Sequence, residues 1–390
     1  MKEFNTDVLI VGSGLVGLVA AHSLSNLNYK VILVDKKNFF DSKSPFTDTR
    51  TVAVSEGSKN FLEKLSLWRY LKHNAAPIKT IKVYDRSSSN KILFSNQIKN
   101  KKLGYVVENK KFSKILVYEL QKHKNASIQY GFDLIDIKLD ENNAKAFSKN
   151  KIINAKLIIA ADGKNSQIKK IVGNKTFKKK YNESALVLNF NHEKKLNNTA
   201  YEVFYQTGPL AILPMKSSKK LFQSTIIWSN NEKFLRKITN CESDFIRNFM
   251  EEKIGNIVGR ITDINSSQIF PLSAHINDAF NNKRLIYVGD SAHSIHPIAG
   301  QGWNLGISDV KNLYELSNDN NLNLGSDLFC QAYNDKSYHK AFQLFQLTDK
   351  LNSHFIKPGN LYRLLSNVGF DYIENNHSLK NKITRYAMGV

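Results

Sequence analysis

Four apolar runs punctuate the chain: Val8-Leu9-Ile10-Val11, Val31-Ile32-Leu33-Val34, Leu157-Ile158-Ile159-Ala160-Ala161 and Leu285-Ile286-Tyr287-Val288. None shows the polar alternation of a half-exposed strand, so each predicts a strand buried on both faces of a parallel sheet. Between the first two lie Gly12-Ser13-Gly14-Leu15-Val16-Gly17 and an apolar-periodic stretch, Leu18 to Leu27. This is a strand-helix-strand unit, whose crossover is right-handed almost without exception. Helical periodicity returns over Glu56 to Leu71 and Phe112 to His123, and most of the chain after Gly302 carries it. Ser127 to Leu139 is extended in character. The middle differs, because Ala185 to Phe190, Tyr201 to Tyr205 and Leu221 to Trp228 alternate as antiparallel strands do. Phe204, Tyr205, Phe222 and Trp228 fit the alternation of sheet-core aromatics. Ile78 to Tyr84 and Lys91 to Phe94, separated by Ser87-Ser88-Ser89-Asn90, read as a hairpin. The expectation is an α/β protein: a discontinuous Rossmann-like nucleotide domain, an inserted antiparallel sheet domain and a helical C-terminus.

Composition narrows this little. The 390 residues are 42% hydrophobic and 23% charged, which excludes a disordered or fibrous chain. Cys241 and Cys330 are too few for a disulfide framework or a metal cluster and suit a reducing compartment. The N-terminus lacks a signal-peptide layout. The longest apolar stretch, Val8 to Ala21, is broken by three glycines and is shorter than the ~20 residues of a spanning helix. A cytoplasmic protein is expected. Charge is less ordinary: 56 basic and 34 acidic residues leave +22. Lysine dominates and is dispersed, with short runs such as Lys178-Lys179-Lys180 among abundant asparagine, as a coding bias produces. The competing use is an anionic membrane surface, for which the C-terminal third is the candidate face.

The glycine turn has a reason at each position. Gly12 permits the turn out of the strand, Gly14 lets a pyrophosphate approach the backbone, and Gly17 lets the helix pack on the sheet. Asp35, 23 residues beyond Gly12 at the end of the second strand, is placed to accept from ribose hydroxyls. This pattern alone leaves the dinucleotide open. A second constellation, Tyr287-Val288-Gly289-Asp290-Ser291-Ala292-His293, leads into Pro297-Ile298-Ala299-Gly300-Gln301-Gly302-Trp303-Asn304-Leu305-Gly306. Two further segments are Ala160-Ala161-Asp162-Gly163-Lys164-Asn165-Ser166 and Asp48-Thr49-Arg50.

In order and content these segments resemble the flavoprotein hydroxylases related to para-hydroxybenzoate hydroxylase. The resemblance implies FAD, with Asp290 on the ribityl chain and the backbone from Gly300 through Gly302 and Asn304 to Leu305 facing the isoalloxazine. It implies Asp162 near the pyrophosphate and the nicotinamide route, and Arg50 beside the flavin. Asn109, Gly289 and Pro297 are carried over as cofactor-site residues, and Arg50, Tyr205 and Pro297 as those nearest the chemistry. Leu103-Gly104-Tyr105-Val106-Val107-Glu108-Asn109, Phe204 to Pro214 with its Gly208-Pro209-Leu210, His296 to Gly302, and Ala387-Met388-Gly389 resemble the subfamily acting on ubiquinone precursors, the 2-polyprenyl-6-methoxyphenol hydroxylase type.

That resemblance implies ring hydroxylation of a polyprenylated phenol by O2 through a flavin C4a-hydroperoxide. NADPH or NADH serves as co-substrate, bound transiently, and no metal or nucleic acid takes part. It also implies peripheral contact with the anionic inner membrane or with other quinone-biosynthesis proteins. The implied pieces are 1–75, 101–175 and 276–390 for the FAD domain and 76–100 and 176–275 for the substrate domain. Asp35 stands where glutamate is usual, Lys169 where arginine is frequent after Asp-Gly, and Trp303 where a smaller residue is usual. His293 and His296 read as local hydrogen-bonding groups rather than bases. Two alternatives compete: the same fold acting on another phenol or on a prenyl chain as a reductase, and a non-catalytic basic protein that binds membrane or nucleic acid.

Overall fold

The computed structural model describes residues 1–38, 48–85, 91–95, 102–217, 221–356 and 360–389. The turn Ser87-Ser88-Ser89-Asn90 and the end of the 76–100 segment lie outside them. The four apolar runs form the centre of one sheet, in the order Asn281–Asn282, Leu285–Tyr287, Lys151–Ala160, Lys2–Val11, Val31–Asp35, Ala126–Tyr130. The strands from Leu285–Tyr287 to Ala126–Tyr130 are mutually parallel. Val8, Leu9, Ile10 and Leu157 to Ala160 have no exposed surface, as a strand covered on both faces requires. Leu134–Leu139 and Ala144–Ser148 add antiparallel strands beside Lys151–Ala160. Ser127 to Leu139 is therefore two strands, parted at Gly131 with φ 75°.

Register positions the site. Val11 pairs with Val34 and Ala160, and Ala160 pairs with Tyr287. The parallel strands thus end side by side, and Gly12, Asp35, Asp162 and Gly289 emerge along a single carboxyl edge. Ligands of open α/β sheets bind at such an edge.

The second sheet runs His293–Ser294, Ile261–Asn277, Thr176–His192, Phe222–Asn230, Gly208–Pro214, Thr199–Tyr205, Thr80–Asp85, Lys91–Ser95. Its strands pair antiparallel except Thr199–Tyr205 with Thr80–Asp85, which corrects the purely antiparallel expectation. Thr80–Asp85 pairs antiparallel with Lys91–Ser95 but meets Thr199–Tyr205 from a distant stretch of chain, so no short turn fixes the direction of that pair. One face of this sheet is closed by the helices Glu232–Thr239 and Ser243–Val258, over a core of Leu186, Leu188, Leu210, Ile212, Ile226 and Trp228. The other face looks toward the first sheet. A small sheet, Thr51–Ser55, Gly104–Glu108 and Ala76–Ile78, joins the two.

The predicted helix over Glu56 to Leu71 is broken, with Glu56–Lys64 and Trp68–Leu71 separated by Ser66 at φ 59°. A left-handed residue cannot continue a right-handed helix. After Gly302 the chain is helical over Gly302–Ser317, Asp327–Ile356, Asn360–Asn375 and His377–Met388. No helix among the described residues is long and apolar enough to cross a membrane.

Candidate cofactor and substrate site

The glycine turn is as tight as its spacing requires. Gly12 holds φ 112°, and a Cβ there would lie 2.2 Å from the Ala161 carbonyl oxygen. A Cβ on Gly17 would lie 2.1 Å from the Gly12 oxygen, whereas one on Gly14 would meet nothing within 4 Å. Close packing therefore fixes Gly12 and Gly17, while Gly14 faces open space. Helix Leu15–Ser25 starts there without a side-chain cap, so its first-turn amides point into the same space. Asp35 accepts from the Ser13 amide and hydroxyl at 2.7 and 2.9 Å and from the Lys37 amide at 3.0 Å. The carboxylate is thus fastened to the turn, with lone pairs left for a ribose.

The Gly-Asp turn packs against that helix: a Cβ on Gly289, at φ 57°, would lie 3.1 Å from Val16. Asp309, buried on helix Gly302–Ser317, accepts from the Gly289 amide at 2.9 Å and lies 2.7 Å from His293 Nε2. A carboxylate only accepts, so His293 carries its proton on Nε2. Asp309 was not singled out in the sequence, and its only signal is an acidic residue inside an apolar helix. Asp290 projects from the turn into solvent-reachable space enclosed by protein. Desolvation raises its pKa, against lowering by His293, Arg50, Lys164 and Lys169.

Cationic groups line the same groove. Lys164 donates to the Ser273 carbonyl at 2.9 Å. Lys169 is buried, its Nζ has no hydrogen-bond partner among the described residues, and burial lowers its pKa to about 8. Asp162 accepts from the amides of Gln167 and Ile168 at 2.7 and 3.2 Å, and burial raises its pKa while Oδ1 stays unpartnered. The Asp-Gly aspartate therefore holds the start of helix Gln167–Val172, with one oxygen to spare.

Arg50 grips Asp48 with Nε and Nη2, both at 2.8 Å, and its guanidinium lies 5.1 Å from the Phe270 ring centroid. The Asp48 hydrogen bond raises the Arg50 pKa further. Asn109 donates to Asp48 at 3.1 Å, and its buried Oδ1 is unpartnered. Beyond them, Pro297 opens a short turn, Ile298–Gly300, that feeds helix Gly302–Ser317. His296 is buried 3.6 Å from Glu183 and meets Tyr181 edge to face.

One expectation on this loop, that for the Leu305 backbone, needs correction. The Asn304 side chain is fully engaged: it accepts from the Ser55 amide and Ser58 hydroxyl and donates to the Ala53 and Gly300 carbonyls. It braces the loop, leaving only its backbone amide for a ligand. Leu305 is buried, and its amide already donates to Gln301 at 2.9 Å. The free first-turn amides are those of Gly302, Trp303 and Asn304.

The groove opens onto the inner face of the second sheet. One cross-strand row runs Val83, Glu202, Ala211, Ile227, Val187, Gln268. Gln268 accepts from the Thr49 hydroxyl at 2.9 Å, and Asn189 donates to the Thr49 carbonyl at 2.8 Å, which fixes this face toward Arg50. Glu202, Ala211, Ile227 and Gln268 are half-exposed, whereas the outer-face core is sealed. The inner face therefore floors a cleft. Tyr205 is not in it: strand alternation turns its ring outward, to within 5.4 Å of Lys253 on helix Ser243–Val258. The inward positions on that strand are Ala200, Glu202 and Phe204, and the sequence reading missed Glu202.

Comparison with known proteins gives the family and the fold. The family model described as FAD binding domain matches residues 5–316. Ubiquinone hydroxylase UbiL of Rhodospirillum rubrum is 27% identical over 98% of this chain and 89% of its own. The 3-demethoxyubiquinol 3-hydroxylase of Escherichia coli is 24% identical over the whole of both chains, 100% of each. Among solved structures, p-nitrophenol 4-monooxygenase PnpA of Pseudomonas putida superposes with TM-score 0.78 at 16% identity, covering 100% of this chain and 99% of that one. PqsL of Pseudomonas aeruginosa gives 0.77 at 13%, covering 94% and 100%.

Proposed function

The chain belongs to the FAD binding domain family, and on that footing we propose that it is an FAD-dependent monooxygenase hydroxylating the ring of a polyprenylated phenol in ubiquinone biosynthesis. The observation that carries the reading is a convergence: two helix N-termini and the Gly-Asp turn meet at Val16, and Thr49, beside Arg50, ties that edge to the inner face of the second sheet through Gln268 and Asn189.

The residues present fit FAD. The space at Gly14, the projecting Asp290, the unpartnered Lys169 Nζ and the buried, unpartnered Asn109 Oδ1 are the features a dinucleotide would use. The first-turn amides at Leu15 to Gly17, with Lys164 and Lys169, would hold the pyrophosphate, Asp35 the adenosine ribose, and Asp290 the ribityl hydroxyls. The amides of Gly302 to Asn304 would sit at the pyrimidine edge, where positive dipole favours negative charge on the ring. FAD, when bound, supplies two-electron chemistry with NADPH or NADH and activation of O2.

The protein orients and shields. Arg50, anchored by Asp48 and Phe270, places positive charge between groove and cleft. Ala211, Ile227 and Val187 give a ring an apolar floor that excludes water. The third reading, a basic protein without catalysis, falls with the family assignment.

For membrane access, the C-terminal third is corrected: residues 261–390 hold 11 basic and 11 acidic residues, so the whole +22 resides in residues 1–260. The C-terminal helices instead expose apolar side chains, including Val368 at 60% and Tyr372 at 62%, one turn apart on Asn360–Asn375. We propose that this helical end meets the bilayer and the basic remainder supplies long-range attraction to anionic lipid.

The test is a yellow holoenzyme that consumes NADH or NADPH in the presence of a short-chain prenylphenol, with product mass raised by one oxygen. Gene deletion in the host should accumulate an under-hydroxylated quinone precursor. A colourless protein, or oxidation of the nicotinamide with no oxygenated product from any phenol, overturns the assignment.

A further inference from the structure

Glu202 is a carboxylate among apolar neighbours. Strand alternation gives it the cleft face, between Ala200 and Phe204 along its own strand and between Val83 and Ala211 across it. Phe204 and Val83 share a cluster with Ile298 of the loop after Pro297, while Ala200 packs with Val106 of the small sheet and Met388 of the last helix. Glu202 therefore lies where the flavin loop, the small sheet and the C-terminus close over the second sheet. The described structure gives its carboxylate no hydrogen bond or ion pair, yet the residue retains exposed surface, so it looks into the cleft.

We propose that Glu202 is the catalytic base that takes the phenolic proton of the substrate, a role that rests on the phenol-hydroxylase reading above. The phenol O–H bond breaks as an O–H bond forms on the Glu202 carboxylate. The electron pair stays on the phenol oxygen and feeds the ring carbons ortho and para to it, those that accept the new oxygen. The proton then leaves to water once the product departs.

Burial raises the Glu202 pKa to about 8, and no charged neighbour contributes. Asp85 shares the inner sheet face two positions beyond Val83, and Glu374 on helix Asn360–Asn375 accepts from the Leu93 amide at 2.9 Å and pairs with Lys380 at 3.0 Å. A base is most effective when its pKa lies near the working pH. A carboxylate in the usual range would be too weak for a phenol.

The experiment compares wild-type holoenzyme with E202Q, which keeps shape and polarity, and with E202D, which keeps the base on a shorter arm. Flavin content and thermal midpoint establish folding. Binding of 2-allylphenol and of its methyl ether is read at pH 9 from the oxidised flavin spectrum, without turnover. Wild type should prefer the phenol by ~10-fold or more, as a hydrogen bond to a charged acceptor gives, and E202Q should lose most of that preference. Hydroxylation by E202Q should fall by ~10²-fold or more and lose the wild-type rise with pH near 8, with partial recovery in E202D. E202Q retaining both rate and preference overturns the base. Wild-type holoenzyme binding neither ring overturns the functional reading beneath it.

Discussion

Removing the Asp309 carboxylate tests whether the Gly-Asp turn is held from behind by a buried acceptor. Asp309 is 1% exposed, and one of its oxygens accepts from both the Gly289 amide and His293. Asp309→Ala strands two buried donors at about 1–3 kcal/mol each, so about 2–6 kcal/mol in all. Unfolding entropy of about 2.1 cal/mol/K per residue over 390 residues gives about 0.8 kcal/mol/K. The midpoint should therefore fall by about 2.5–7 °C in a calorimetric scan of the FAD-free protein. Asp309→Asn, which can still present an oxygen to both donors, should lose less. FAD affinity should weaken in the alanine variant because Asp290 follows Gly289 directly. An alanine variant with unchanged midpoint and FAD affinity would refute the brace.

Four other outcomes are expected. Asp290→Ala should weaken FAD binding by ~1.5–3 kcal/mol, about 10- to 150-fold in Kd by flavin fluorescence; undiminished affinity removes Asp290 from the site. Arg50→Ala should keep FAD but lose most NAD(P)H-dependent hydroxylation, and wild-type turnover by oxygen uptake would place Arg50 outside the chemistry. Because burial raises the folded-state pKa of Glu202 to about 8 from 4.5, wild type loses stability as pH rises between those values. E202Q escapes that loss, so its advantage should be near zero at pH 4 and reach ~2–3 kcal/mol above pH 8, discounted for the surface Glu202 retains; equal pH dependence in denaturant melts contradicts it. Sedimentation with vesicles should show binding to anionic lipid that weakens with salt. Salt-independent binding to neutral vesicles would credit Val368 and Tyr372 alone, and no binding to either would favour a protein partner.

The parallel sheet and its ligand edge were legible in the order of amino acids alone. A strand covered on both faces must be continuously apolar, and a glycine whose Cβ would sit 2.2 Å from a carbonyl has no substitute. Val8 to Val11, Gly12 and Gly17 therefore announce themselves locally, and so does the Gly289-Asp290 turn between an apolar strand and a helix. What the sequence left open depends on which face a residue takes and what its atoms already bond. Tyr205 and Glu202 lie three positions apart on one alternating strand. Either face suited that pattern until the helices Glu232–Thr239 and Ser243–Val258 covered one of them and turned Tyr205 outward. The task of the Asn304 side chain is invisible in the sequence; only the fold brings Ala53, Ser55 and Ser58 within reach to engage its amide. Asp309 is an ordinary acidic position until tertiary packing seals it against Gly289. The placement of the +22 was in the sequence throughout, in the first 260 residues. The apolar exposure of the C-terminal helices was not, because a helical period shows which residues share a face and leaves what that face meets to the packing.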